Sequence, residues 1–401
     1  MEARLELRRR ISLPAAAALV VGGTIGVGIF LTPAGMATAL ASPAWLLAVW
    51  LFMGGAALCG ALCYGELGAR YPQAGGGYVY LREAFGPLPA FLYGWKCLLV
   101  MDPGLTAALA TGFGAYAQAA FPAVPTRAAA FVAIVAVAGA NVAGVRLAAG
   151  IAQALALLKI LLLVALVAWG FASAAGDGSH FLPFVERRAG APPLLGALAG
   201  AIVSAFCSFG GWWEASKLAG EVREPQRTVP RALALGVLTV TLLYVAVSAM
   251  FVYLVPIETV ASSEAFAAQA GRALFGAAGA RALSCLVALF VLGSLFAFMT
   301  MAPRVYFAMA RDGAVPAFVG RVDPRTGAPV RAVLIQATLA ALLVALGSFD
   351  AIVAYFVFVT VAFLGLTVFG LVRLKRRLPS VSYETPLYPL TPILFLISIT
   401  K

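Results

Sequence analysis

The chain has 401 residues, 63% of them hydrophobic and only 11% charged, with a mean hydropathy of +0.98 and a formal net charge of +12. That much apolar surface excludes an ordinary soluble domain and points to a polytopic membrane protein. No basic segment alternates with stacking aromatics, which argues against a nucleic-acid partner, so the charge is read as a report on topology. The N-terminus, M-E-A-R-L-E-L-R-R-R, is basic, and the apolar stretch after it is too long for a signal-peptide core, so a retained span is expected. This first segment runs from near Pro14 to near Thr38, enough for a helix of roughly 20 residues to cross a bilayer. It contains Gly22, Gly23, Gly26 and Gly28. Each costs roughly 1 kcal/mol against alanine inside a helix, so the helix is expected to break there. Backbone freed in this way is tolerated at membrane depth only where it faces protein or a water-filled cavity.

Further apolar segments follow at approximately 44–64, 88–120, 128–145, 147–172, 194–219, 232–256, 282–309, 330–347 and 350–372, and an eleventh starts at Pro386 and is cut off at Lys401. Cysteines 59, 63, 97, 207 and 285 all fall inside apolar segments and the single histidine, His180, lies in a polar loop. This pattern supports neither a disulfide framework nor a metal site, and the cysteines read as packing residues. With the N-terminus in the cytoplasm, twenty basic residues lie in inside segments, among them Arg8, Lys217, Arg223, Arg227 and Arg304. Only Arg127, Arg187, Arg188, Arg272 and Arg281 lie outside. This positive-inside bias fixes the expected orientation.

The sixth segment repeats the anomaly of the first. Residues 204–214 read S-A-F-C-S-F-G-G-W-W-E, which puts Gly210 and Gly211 midway along the span with Ser204 and Ser208 beside them. Two interrupted helices five spans apart point to an inverted repeat with a ligand site where the halves meet, although small residues also serve close helix packing. Half-helix ends of this kind offer free N–H groups to an anion and unpaired carbonyls to a cation, a ready-made site for a charged ligand.

These residues resemble the amino acid–polyamine–organocation permeases. G-T-I-G-V-G-I-F, residues 23–30, is similar to that family's first-helix signature, and C-Y-G-E-L-G-A-R-Y-P-Q-A-G-G-G-Y-V-Y, residues 63–80, to its segment after the second helix. G-E-V-R-E-P-Q-R-T-V-P-R-A, residues 220–232, and A-R-D-G-A-V-P, residues 310–316, resemble the segments after the sixth and eighth. The resemblance spans essentially the whole chain and leans toward the L-type exchangers of neutral amino acids. It implies an all-α polytopic protein of the leucine-transporter fold, with five-helix repeats over 1–172 and 194–372 and the start of a further helix at 386–401. It also implies a substrate site at Thr24, Ile25, Gly26, Val27, Gly28, Phe206, Cys207, Ser208, Phe209 and Gly210. The amides of Gly26, Val27 and Gly28 would hold the carboxylate, and carbonyls near Thr24, Cys207 and Gly210 the ammonium. Val27 supplies no hydroxyl where the family often has a serine. Cys207 stands where many members carry a gating aromatic, leaving Phe206 or Phe209 to serve as a lid.

Lys159 lies about 12 residues past Leu147, hence roughly 18 Å into its helix and too deep to snorkel. The resemblance implies that it stands in for a sodium ion by donating to carbonyls around Gly22 and Gly23. Two readings stay open: a fixed structural cation, or a lysine that releases its proton and couples transport to a gradient. Lys96, Asp102 and Glu66 receive no role, and Glu214 is expected in a solvated inner vestibule. Glu221, Arg223 and Arg227, with Arg8 and Arg304, either form an inner gate or anchor topology, the latter being favoured. Trp212 and Trp213 read as packing or as pocket wall.

The expectation is thus a secondary transporter of amino acids in the cell membrane, working by alternating access, with protons as candidate co-substrate. No cofactor, no metal and no disulfide-linked partner subunit are expected. A polyamine or cationic substrate would call for carboxylates in the pocket, a channel for rings of charge, and an enzyme for clustered acid and base groups at one depth.

Overall fold

The computed structural model describes residues 7, 9–260, 266–276, 279–347, 349–377, 379 and 381–400. Among them the secondary structure is helical, and the first apolar segment comes apart where its glycines predict. Helix α1, Leu13–Thr24, opens with Pro14 in its first turn, where a missing N–H costs nothing. Ile25 then turns to an extended conformation at ψ 93°, and helix α2, Gly28–Leu40, departs at 49° to α1. Helices α3 (Pro43–Arg70), α4 (Gly77–Phe85) and α5 (Pro87–Lys96) follow. A π-helical turn at Cys97–Met101 joins α5 to α6, Asp102–Ala120. Pro103 accounts for the turn, since its ring excludes the carbonyl four residues back and it has no N–H to continue the ladder.

Gly144, at φ 145°, separates α7 (Thr126–Ala143) from α8 (Val145–Ala172). Along α8 the residues Ala148, Ala152, Ala156, Lys159 and Leu163 recur at helical spacing on the buried face, while Leu147, Leu161 and Trp169 are exposed on the other. This facing puts Lys159 inward. Helix α9, Leu194–Phe209, stops at Gly210 and Gly211, and the chain resumes as a 3-10 helix, Trp212–Glu221. Gly211 has φ 112°, a conformation that side chains disfavour. Helix α10 begins at Pro225, about two turns before the hydrophobic pattern places it, and runs to Leu254. The remaining helices are α11 (Phe266–Phe275), α12 (Gly279–Met301), α13 (Pro303–Arg311), α14 (Val330–Leu346), α15 (Phe349–Lys375) and α16 (Leu390–Thr400).

Seven helices among the described residues are long and apolar enough to cross a membrane, or eight when α1 and α2 count as one bent span. Helix α1 lies in the middle of the bundle, against α8, α10 and α12, and α2 packs on α9. Each half of the first broken span is therefore held by a different set of neighbours. At the N-terminal end the backbone of residues 10 and 11 docks on the end of the 3-10 helix. The amides of Arg10 and Ile11 donate to Glu221 O at 2.7 and 2.9 Å, and Arg223 N donates to Ile11 O at 2.9 Å.

Candidate transport site

The two breaks meet. A Cβ placed on Gly211 would stand 2.6 Å from the carbonyl oxygen of Gly23, and one on Gly28 would stand 2.7 Å from Ser208 Oγ and 2.8 Å from its Cα. Only glycines let the two interrupted helices touch at these points. Tyr244 of α10 ties them further, its hydroxyl lying 3.2 Å from Thr24 O and 3.0 Å from Ser208 O. Thr32 and Ser208 join hydroxyls at 3.0 Å across α2 and α9.

A cavity of about 340 Å³ opens beside this junction, with mostly apolar walls. Gly23, Thr24, Gly26, Val27 and Gly28 line it from the first break, and Phe206, Cys207, Ser208, Gly210 and Gly211 from the second. Met101, Gly104 and Leu105 face it from α6 and its preceding turn, Ser294 and Phe298 from α12, and Thr360 from α15. The amides of Gly26, Val27 and Gly28 make no hydrogen bond with any described residue. They are the orphan donors at the start of α2, where the helix dipole favours an anion.

Lys159 seals the other side of the first break. Its ammonium donates to Gly22 O at 2.9 Å, Ile25 O at 2.7 Å and Ser294 Oγ at 2.8 Å, which uses all three N–H groups. Ser294 in turn donates to Ile25 O at 2.8 Å. Room for the lysine comes from Gly293, where a Cβ would stand 2.7 Å from Lys159 Cε.

The family model described as amino acid permease matches residues 11–400. The chain belongs to the amino acid permease family. It is 28% identical over 401 residues to the mouse Asc-type amino acid transporter 1, covering 98% of this chain and 76% of that one. It is 29% identical over 377 residues to the mouse b(0,+)-type amino acid transporter 1, covering 92% and 76%. It is 28% identical over 401 residues to the human large neutral amino acids transporter small subunit 2, covering 98% and 74%. This permease is an integral membrane transporter of amino acids rather than an enzyme, and the nearly all-helical build of its described residues is consistent with the leucine-transporter fold.

In the permease, Thr24, Gly26, Val27, Gly28, Phe206, Cys207, Ser208 and Gly210 come together around the cavity as the sequence predicts. Phe206 stacks on Trp213, with ring centroids 6.5 Å apart. Three expectations are corrected. Phe209 does not reach the cavity; it is buried between Trp50 and Tyr244, with centroids 6.1 and 5.1 Å away. Ile25 turns its side chain into the core and contributes its carbonyl to Lys159 instead. Gly23 is not a partner of Lys159, because the chain leaves the helix after Thr24 and swings the oxygen of Ile25 into that place. Gly22 is a partner as expected. Of the two tryptophans, Trp213 lines the cavity and Trp212 packs edge-on against Tyr64 and Phe395.

Charges along the 3-10 helix differ from the sequence expectation. Glu214 and Lys217 are fully buried in the permease, so Glu214 is not in a solvated vestibule, although it lines the cavity. Lys217 Nζ lies 2.5 Å from Glu214 Oε2 and 3.3 Å from Asp102 Oδ1 of α6. Arg304 is also buried and grips Glu221 with two hydrogen bonds, at 2.6 and 3.2 Å. The missed signal was in the sequence: an acidic and a basic residue three apart, Glu214 and Lys217, inside a predicted span must find partners. Of the cysteines, Cys63 and Cys97 are buried as packing residues, whereas Cys207 and Cys285 are exposed.

Proposed function

We propose that this permease moves neutral L-amino acids across the cell membrane by alternating access, with the zwitterion held at the junction of the two breaks. The observation that carries this reading is the set of orphan amides at Gly26, Val27 and Gly28 facing the cavity. Backbone N–H groups at a helix start bind a carboxylate without any ionised side chain. The substrate ammonium then falls to carbonyls of the first break near Thr24 and of the second near Cys207 and Gly210, each of which keeps a lone pair after its internal bonds. Apolar walls from α6 and α12 suit an uncharged side chain. Glu214 is a carboxylate at the cavity floor, but Lys217 answers its charge at 2.5 Å, which disfavours a cationic side chain there. The relatives include the human large neutral amino acids transporter small subunit 2.

Lys159 acts as a fixed cation in place of sodium. With all three of its N–H groups committed, it has no free role as a proton carrier. Residues 1–172 and 194–372 form the two inverted halves, the N-terminus is cytoplasmic, and the rocking of one helix bundle against the rest exposes the site to each side in turn. The test is reconstitution in liposomes with a panel of labelled amino acids, measuring counterflow against an internal pool. Counterflow of neutral amino acids, competed by one another and not by lysine or putrescine, is expected. Counterflow restricted to cationic substrates, or none at all, would overturn the reading.

A further inference from the structure

At the end of the bundle that carries the N-terminal strap, three arginines from separate stretches of chain converge. Arg10 comes from the strap, Arg146 from the first turn of α8 and Arg325 from the loop between α13 and α14. All three are exposed, and they line one groove of about 630 Å³. The backbone fixes the meeting. Arg10 N is tied to Glu221 O at 2.7 Å, and a Cβ on Gly144, the residue before α8, would stand 3.4 Å from Thr326 O.

Among the described residues, no carboxylate lines the groove, and none of the three guanidinium groups forms an ion pair or a side-chain hydrogen bond. Asp323 acts on Arg325 from two residues away, but its Oδ1 is spent on the amides of Arg325 and Thr326, at 2.8 and 2.9 Å. The neighbouring groove beside α4 and α13 is different, since there Arg82 meets Asp312 at 2.5 Å and Glu83 at 2.7 Å. Guanidinium groups stay charged and repel one another, so the cluster suits an anion with several oxygens that paired N–H donors can grip.

The rest of the groove is apolar. Leu147, Gly150, Ile151 and Ala154 of α8 form it, and a Cβ on Gly150 would meet nothing within 4 Å, which leaves a trough. Positions 147, 151, 154, 158 and 161 share one helix face, so the stripe continues as Leu158 and Leu161, both exposed on a span. From Leu147 to Leu161 it rises roughly 21 Å at 1.5 Å per residue. A small soluble anion has no use for such a stripe, whereas a lipid has a charged head for one end and a chain for the other.

We propose that this groove binds an anionic phospholipid, its phosphate held by Arg10, Arg146 and Arg325 and an acyl chain laid along Leu147, Ile151 and Ala154. Basic pockets between spans at the membrane surface hold anionic headgroups in this way. The bound lipid ties the N-terminal strap to α8 and to the loop before α14, and so stabilises that end of the bundle.

The test uses the full chain, purified in a neutral detergent and titrated with phosphatidylglycerol or with phosphatidylcholine of the same acyl chains, and reads the melting temperature. Phosphatidylglycerol is expected to raise it saturably, and phosphatidylcholine to leave it unchanged. Inorganic phosphate and glycerol 3-phosphate, which bring the anion without the chains, are expected to have no effect at the same concentrations. Arg146→Gln and Arg325→Gln are each expected to weaken the lipid response by about fivefold. Gly150→Trp, which fills the trough and leaves the charges alone, is expected to weaken it as well. Arg321→Gln, at an exposed arginine outside the groove, is expected to keep the wild-type response. Equal shifts with the two lipids would overturn the proposal. Free phosphate that matches phosphatidylglycerol would make this a soluble-anion site and overturn it too. So would groove variants that titrate like the wild type, or an Arg321→Gln variant that loses as much as they do. Should one variant fail to fold, the wild-type comparison of lipids with free phosphate and the remaining variants decide.

Discussion

The ammonium of Lys159 is fastened to the carbonyl of Ile25 at 2.7 Å, which makes a side chain of α8 the cap for the end of α1. The oxygens of Gly22 and Ile25 would otherwise face a low-dielectric interior without a cation. Lys159→Met removes the donor to both, at about 1–3 kcal/mol for each buried acceptor left unpaired. A clear fall in thermal stability in detergent and loss of counterflow by more than about tenfold are expected. Uptake and melting that match the wild type would show that the break holds its shape unaided.

Gly28 sits against Ser208 with no room for a methyl group, since a Cβ would come within 2.8 Å of the Ser208 backbone. Gly28→Ala therefore forces α2 and α9 apart at the point where the orphan amides converge. Overpacking of this kind costs about 1–3 kcal/mol. The expected result is a rise in the half-saturating substrate concentration, read from concentration-dependent counterflow, larger than that caused by alanine at Gly35, which has open space around it.

Arg304 and Glu221 form a buried, doubly bonded pair between α13 and the end of the 3-10 helix. Removing one partner strands the other charge, at about 3–5 kcal/mol, whereas removing both does not. Arg304→Gln and Glu221→Gln should each destabilise more than the double variant does. A double-variant cycle of melting temperatures checks this, and simple additivity would contradict it.

Arg188, in the segment between α8 and α9, donates to Glu258 in the loop that follows α10. Partial burial works to raise the Glu258 carboxyl, and the bond from Arg188 more than offsets it, so the group ionises below its ordinary 4.5. A carboxyl lowered in the folded state stabilises above its unfolded value, and that contribution is lost as pH falls through the folded value. Glu258→Gln should thus melt slightly below wild type at neutral pH, by less than about 1 kcal/mol for so exposed a pair. The gap should close below pH 4.5, as a pH series of melting curves would reveal.

Both breaks were legible because glycine is costly inside an apolar helix, so Gly22 to Gly28 and Gly210–Gly211 stand out against their surroundings. Lys159 was legible from depth alone, since a charge in mid-span must be answered. Which oxygen answers it was not, because that depends on the one residue, Ile25, at which the chain turns out of α1. The facing of Phe209 was hidden for a similar reason: it follows from how α9 is rolled against Trp50 and Tyr244, which no local spacing encodes. Lys217 was counted among the inside charges, whereas the second half of the broken span is a 3-10 helix that carries the buried stretch on to Glu221.

The docking of residues 10 and 11 on Glu221 and Arg223 has a consequence of its own. This latch is built from peptide groups, so exchanging side chains along it leaves it in place, and only a residue without an N–H would unfasten it. Three backbone hydrogen bonds of about 0.5–1.5 kcal/mol each have to part together before the bundle can gape at that face. The N-terminal strap and the tail of the second broken helix are therefore one mechanical piece.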